Sequence, residues 1–475
     1  MLFNSFTFIV FLCAVFPLYW GWAAKNRHRR NVLVLLASYV FYGWWDWRFL
    51  SLIAISSMID FWVGLQLEKT DTPRTRKGFL WLSLAVNLGF LGFFKYFNFF
   101  SDNLSLLLNS IGLETHPASL NIILPVGISF YTFQTLSYTI DIYRRDMQAV
   151  KDPIAFFAYV AFFPQLVAGP IERAAKLLPQ FEHLPSFDPV KATDGMRQIL
   201  WGLFKKVVVA DTAAAYVDVA FTQTETVPAG SLLLGAILFA FQIYGDFSGY
   251  SDIAIGTARL FGFELMTNFR YPYFSRDIAE FWRRWHISLS TWFRDYLYIP
   301  LGGSRGGRNM QIRNTMAIFL VSGFWHGANW TFIFWGALNA LYFLPLLLAG
   351  QNRRNLDVVA AGRFFPTIRE TFQMLGTFFI TVVAWIFFRA PDLGAAFGYL
   401  REMADPDLLQ IQLQALTAFP FIVILLMGEW LNRDKEYALA AMPASKFLRW
   451  SIYLFLAFMI LEHWGSPQSF IYFQF

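Results

Sequence analysis

Residues 314–352 read NTMAIFLVSGFWHGANWTFIFWGALNALYFLPLLLAGQN and contain no Asp, Glu, Lys or Arg. About 20 apolar residues are enough to cross a bilayer, so this stretch predicts membrane-embedded helix. One side chain with a neutral-range pKa interrupts it, His326, flanked by Gly323, Gly327 and Gly336. Ionisable residues at membrane depth are costly and rare, which makes each one a functional hypothesis by default. The glycines allow another backbone or a thin ligand to come close.

The rest of the chain has the same character. Its 475 residues are 56% hydrophobic, 20% aromatic and only 15% charged, with mean hydropathy +0.43. Soluble domains carry about 25% charged residues, and 55 Phe, 18 Trp and 20 Tyr leave no economical way to build a wet surface. Length alone suggests about three soluble domains. Composition instead predicts one membrane-embedded domain over residues 1–475, its motifs concentrated at 120–340. A soluble enzyme, a disordered chain and a disulfide scaffold are excluded. Cys13 is the single cysteine, and the six histidines, His28, His116, His183, His286, His326 and His463, show no HxxxH or HxH spacing. No metal site is expected.

The net charge of +6 is spread over short clusters between apolar runs: 25–30 (KNRHRR), 74–77, Lys205–Lys206, 305–313 and Arg353–Arg354. Such clusters read as cytoplasmic loops by the positive-inside rule, and no nucleic-acid partner is expected. Met1 to Ala24 is free of charge and lacks a basic n-region, so it is expected to stay as the first span, with a periplasmic N-terminus. Further apolar segments lie at 31–45, 49–67, 79–99, 121–142, 154–171, 199–220, 230–262, 315–350, 370–388, 415–432 and 448–463. The predicted fold class is all-α, a polytopic bundle of roughly 10–12 spans with re-entrant or interfacial helices. The stretch 281–303, FWRRWHISLSTWFRDYLYIPLGG, is too charged to cross lipid and suits an interfacial or re-entrant element. An aromatic-belt helix is the plainer reading.

His326 is the best catalytic candidate, because imidazole titrates near neutrality and is the usual general base. The alternative is a histidine that glues helices through a carbonyl. His286, after Arg283, Arg284 and Trp285, is the second candidate; a histidine solvated among headgroups is its alternative. Asp246 and Asp252, in GDFSGYSDIAIG at 245–256, either orient a histidine or serve structure, and Gly245 and Gly249 form a small-xxx-small packing face. FPQLVAGPIER at 163–173 marks a break, with Glu172–Arg173 leaving the membrane. The end, FIYFQF at 470–475, reads as a greasy tail, and GGSRGG at 302–307 as a turn. No nucleophile elbow, P-loop or dinucleotide fingerprint occurs in a usable context.

Four blocks in this order, FPQLVAGPIER, GDFSGYSDIAIG, FWRRWHISLSTWFRDYLYIPLGG and FWHGANW, resemble the membrane-bound O-acyltransferase family, in its alginate O-acetyltransferase-like branch. The resemblance implies helices around a central funnel, with His326 and His286 as the family's two histidines. It implies acyl transfer from a cytoplasmic thioester donor, acetyl-CoA or an acylated carrier, with no bound cofactor. The implied acceptor is an exported polysaccharide, served through a periplasmic acetyltransferase partner at the bacterial inner membrane. His326 would take the proton of the attacking hydroxyl, and Asn329 would support the oxyanion. The tail resembles that of the teichoic-acid D-alanylation machinery, which makes Tyr472 the implied acyl relay. Peptidoglycan, cellulose or teichoic acid are alternative acceptors to alginate. A transporter with His326 as proton relay is the rival from another class; it predicts paired repeats and midplane carboxylates, and no clear repeat is present.

Overall fold

A backbone in lipid must satisfy its own hydrogen bonds, and every regular element among the described residues is helical. The computed structural model describes residues 1–167, 169–405, 410–465, 468, 470 and 471. Among these, seven continuous runs are long and apolar enough to cross a membrane: Phe6–Lys25, Arg27–Lys69, Pro73–Ser110, Ala229–Leu260, Trp330–Leu348, Ile368–Arg389 and Leu413–Leu431. The chain is a polytopic, all-helical membrane protein. The described residues fall into two compact units, one of 1–193 with 257–266, the other of 194–256 with 267–475.

In the first unit, polar groups hold apolar helices together. Asp60 on Leu50–Lys69 is fully buried and accepts from Asn87 Nδ2 at 2.8 Å and from the Ser83 hydroxyl on the following helix. Thr139 on Ile128–Arg144 approaches the same carboxyl group at 3.3 Å. Arg30, 1% exposed, donates to the Phe181 and His183 carbonyls. In lipid such bonds associate helices that hydrophobicity cannot drive together.

The second unit carries three of the four motif blocks, all but 163–173. Its helix Ala229–Leu260 runs for 32 residues and lies close to the preceding segment because glycines face each other. A methyl group on Gly249 would come within 2.7 Å of the Gly202 oxygen, and one on Gly202 within 2.6 Å of the Gly249 oxygen. The packing role expected of the small-xxx-small face is therefore met.

The long apolar segment read at 315–350 is two helices, Gly307–His326 and Trp330–Leu348. The break follows His326: Gly327 is extended, and Asn329 caps the second helix by accepting from Thr331 N at 3.0 Å. The pair packs through Gly323 and Gly336, whose added methyl groups would collide with the Phe332 and Phe319 carbonyl oxygens. Gly323→Ala or Gly336→Ala is expected to destabilise the protein by about 1–3 kcal/mol, the usual result of overpacking. Thermal unfolding of the detergent-solubilised variants measures this; an unchanged midpoint would mean that the two helices separate at no cost.

Candidate active site

The segment 267–298 is short-helical and crossed by charge, as expected of a non-spanning element. Asp277 caps Ile278–Arg284 by accepting from Glu280 N at 2.7 Å. Glu280, 1% exposed, pairs with Arg276 at 3.1 Å and Arg284 at 2.7 Å, while Arg283 donates to the Asn352 and Asn355 carbonyls at 2.8 and 2.7 Å. These bonds tie the arginines of the WRRWH block to the 352–357 loop, so their charge anchors the element and is not left in an apolar setting.

Between Ile278–Arg284 and Ile287–Phe293 stands His286, with φ 43° and ψ 55°. A residue with a β-carbon held in the left-handed region costs of order 1–3 kcal/mol and persists only where its surroundings over-determine it. Here the surroundings do so: Ile287 N donates to Asn268 O at 2.9 Å and Arg270 N to Arg284 O at 3.0 Å. The His286 ring is 1% exposed, and its Nδ1 lies 3.1 Å from Asn268 Oδ1. Phe247 packs edge-on at 4.6 Å between centroids and Phe269 lies at 6.3 Å. Burial pushes the imidazole pKa down to about 3, because a low-dielectric site disfavours the charged form. His286 is therefore neutral throughout the physiological range.

His326 ends the helix Gly307–His326 and is 4% exposed. Its ring lies against Trp335 at 5.1 Å, Phe388 at 5.3 Å and Trp325 at 4.9 Å. Trp325 also lies 6.2 Å from the His286 ring. The two candidate histidines, 40 positions apart in sequence (326 − 286), thus share one aromatic enclosure through Trp325. Trp285, Trp335 and Trp385 complete its wall. A cavity of about 250 Å³ runs beside it, bounded by Trp282, Ser290, Arg294, Phe319, Ser322 and Arg353 among others. Ser322 stands one turn before His326 on the same helix face.

The acids read from the GDFSGYSDIAIG block are buried, and so are two lysines. Asp252 pairs with Lys205 at 2.6 Å and accepts from Gln198 at 2.8 Å. Asp246 pairs with Lys206 at 2.8 Å, and Lys206 also pairs with Asp211 at 2.7 Å. Lys205 and Lys206 are 3% and 1% exposed, which corrects their reading as a cytoplasmic loop marker. They sit in a π-helical stretch, Phe204–Ala210, and their charge is matched by carboxylates from a separate helix. Two lysines in the apolar run 199–210, with Asp211 directly after it, were the signal: a pair in that setting needs partners.

The tail reaches this cluster. Ile471 N donates to Asp246 Oδ2 at 2.6 Å, and Lys206 Nζ donates to Gln468 O at 3.2 Å. Phe470 is buried against Tyr250 at 4.3 Å and lies 6.1 Å from Phe247, the ring that packs on His286. Tyr472 lies outside the described residues. Asn329, besides capping, donates its amide to Pro391 O at 2.8 Å. The block 163–173 belongs to the first unit, where Glu172 is 2% exposed and accepts from Met266 N; burial pushes its carboxyl pKa up to about 7.

Comparison with known proteins agrees with the motifs. The family model of the membrane-bound O-acyltransferases matches residues 5–388, which include both histidines. The chain is 41% identical over 424 residues to the probable alginate O-acetylase of Azotobacter vinelandii, covering 88% of this chain and 82% of that protein. It is 36% identical over 406 residues to the peptidoglycan O-acetyltransferase of Helicobacter pylori, covering 80% and 75%. It is 29% identical over 231 residues to the teichoic acid D-alanyltransferase of Streptococcus thermophilus, covering 46% and 55%. With two buried histidines in the motif blocks and a family match over most of its length, the chain belongs to the membrane-bound O-acyltransferase family and is an acyl-transferring membrane enzyme.

Proposed function

We propose that this enzyme takes an acetyl group from a cytoplasmic thioester, acetyl-CoA or an acylated carrier protein, and passes it across the bacterial inner membrane for O-acetylation of an exported polysaccharide. An alginate-like polymer is the favoured acceptor, and a periplasmic acetyltransferase completes the transfer. The observation that carries the reading is the pair of buried imidazoles, His286 and His326, joined through Trp325. A histidine beside a second, neutral imidazole in a buried aromatic enclosure suits proton transfer during acyl exchange.

The chemistry is an exchange of esters. A hydroxyl oxygen attacks the thioester carbonyl carbon while His326 takes the hydroxyl proton. The C–S bond breaks, and the proton passes to the departing thiolate. His286, neutral because buried, accepts a hydrogen bond from the attacking hydroxyl without taking its proton, and Asn329 holds the turn that follows His326. The cavity bounded by Trp282, Phe319 and Ser322, with the exposed Arg294 and Arg353 at its edge, has the apolar bore and basic rim suited to the pantetheine arm and phosphate of such a donor. The first acceptor is Tyr472. A phenol of pKa about 10 makes an ester with a good leaving group, able to pass its acetyl on to a sugar hydroxyl. Support comes from the tail, since the residue before Tyr472, Ile471, is held by Asp246.

The test is the O-acetyl content of polymer from a strain lacking this gene and complemented in turn with wild type and Tyr472→Phe. Wild type is expected to restore acetylation and Tyr472→Phe to leave it near the null level at equal membrane abundance. Full acetylation with Tyr472→Phe removes the relay, and no restoration by wild type removes the polymer reading. The Helicobacter relative makes peptidoglycan the second acceptor to assay.

A further inference from the structure

We propose that Asn268 is a positioning residue that fixes the tautomer of His286 and makes Nε2 its basic nitrogen; the catalytic consequence rests on the reading of His286 given above. Asn268 Oδ1 stands 3.3 Å from Ser288 N, 2.9 Å from Ser288 Oγ and 3.1 Å from His286 Nδ1. A backbone N–H only donates, so the atom facing Ser288 N is the amide oxygen and the assignment of the two amide ends is settled. The other end agrees: Asn268 Nδ2 donates to Ser251 Oγ at 3.2 Å on the helix Ala229–Leu260.

The consequence for His286 follows from the inventory of donors. An amide oxygen only accepts, so the nitrogen 3.1 Å away carries the hydrogen, and the Ser288 hydroxyl, 3.5 Å from that nitrogen, gives its own hydrogen to Asn268 Oδ1 at 2.9 Å. Burial keeps the ring neutral, and a neutral imidazole has one N–H. The proton is therefore on Nδ1 and the lone pair on Nε2. A group that holds an imidazole in one tautomer and one orientation is the third member of a catalytic relay. Asn268 does this without charge, so the ring is oriented and its basicity in the dry site is not raised by a carboxylate. The left-handed backbone at His286 serves the same geometry: Asn268 accepts from the Ile287 amide through its own carbonyl at 2.9 Å and from Ser288 and His286 through its side chain. Asn268 is itself 0% exposed, so no solvent competes for these bonds.

The experiment uses the full chain in nanodiscs, labelled with 15N-histidine, with the His286 signals assigned by difference from His286→Gln. Nδ1 and Nε2 are distinguished by which nitrogen carries the proton. The wild type is expected to show His286 protonated on Nδ1 alone. Asn268→Ala is expected to show mixed tautomers and at least about a tenfold fall in polymer acetylation, the scale typical of losing an orienting partner. Asn268→Asp, which keeps an acceptor oxygen, should restore the Nδ1–H form and recover part of the activity. A wild-type spectrum with the proton on Nε2 overturns the inference by itself, even if Asn268→Ala fails to accumulate. Wild-type acetylation by Asn268→Ala, with His286→Ala inactive, overturns the positioning role and leaves the proposed function standing. Full acetylation by His286→Ala removes the reading of His286 as a participant, and the positioning role falls with it.

Discussion

His326→Ala is expected to reduce polymer O-acetylation by a factor of about 10²–10⁴, the range that a positioned general base contributes. The argument is one of position. His326 stands at the end of its helix, 4% exposed and packed by Trp325, Trp335 and Phe388. Water cannot readily take its place as proton acceptor in such an enclosure. Loss of the ring also opens space, so membrane abundance must be followed alongside activity. His326→Gln keeps most of the volume and a polar end while removing the titratable nitrogen, and it should be as inactive as His326→Ala. Normal acetylation by His326→Gln at normal abundance would remove His326 from the mechanism and leave it as packing.

Asp246→Ala is expected to have the second large effect, on stability first and on transfer with it. Removing one partner of a buried ion pair costs about 3–5 kcal/mol, since the other charge stays buried. Lys206, 1% exposed, would keep one carboxylate of its two, Asp211 at 2.7 Å, beside the Gln468 carbonyl, and the Ile471 amide would lose its acceptor. The variant should unfold at a markedly lower temperature and should free the tail that Asp246 holds. Asp246→Asn separates the two effects, because its side-chain oxygen still accepts from Ile471 N while the charge is gone. It should retain more acetylation than Asp246→Ala at matched abundance. Equal stability and activity of Asp246→Ala and wild type would show that the tail keeps its place without this contact.

Much of this was legible without coordinates. The apolar runs read at 1–24, 230–262 and 315–350 follow from composition, since a mainly apolar run in lipid has only the helix open to it. The non-spanning character of 281–303 was read from its arginines, whereas the break after His326 was not: 315–350 reads as one apolar segment, and Asn329 shows itself as a helix cap only through its bond to Thr331 N. The two histidines stood out because titratable groups in such surroundings are scarce. Lys205 and Lys206 were misread because a loop marker and a buried ion pair look alike until the partner is seen. Asn268 carried no local signal at all: an asparagine in the loop 261–271 is unremarkable in sequence.

The amino-acid sequence by itself thus determined the membrane class, the helical architecture and the two imidazoles, all of which depend on residues near one another in the chain. Only the tertiary structure decided that His286 and His326 meet through Trp325, that Asn268 holds the His286 ring, and that Asp246 and Lys206 hold the tail. These are pairings between distant residues, 225 positions apart for Asp246 and Ile471. In lipid they are chosen by how closely glycine-lined helices approach and by which buried charges must find each other, and neither is written in any local stretch of sequence.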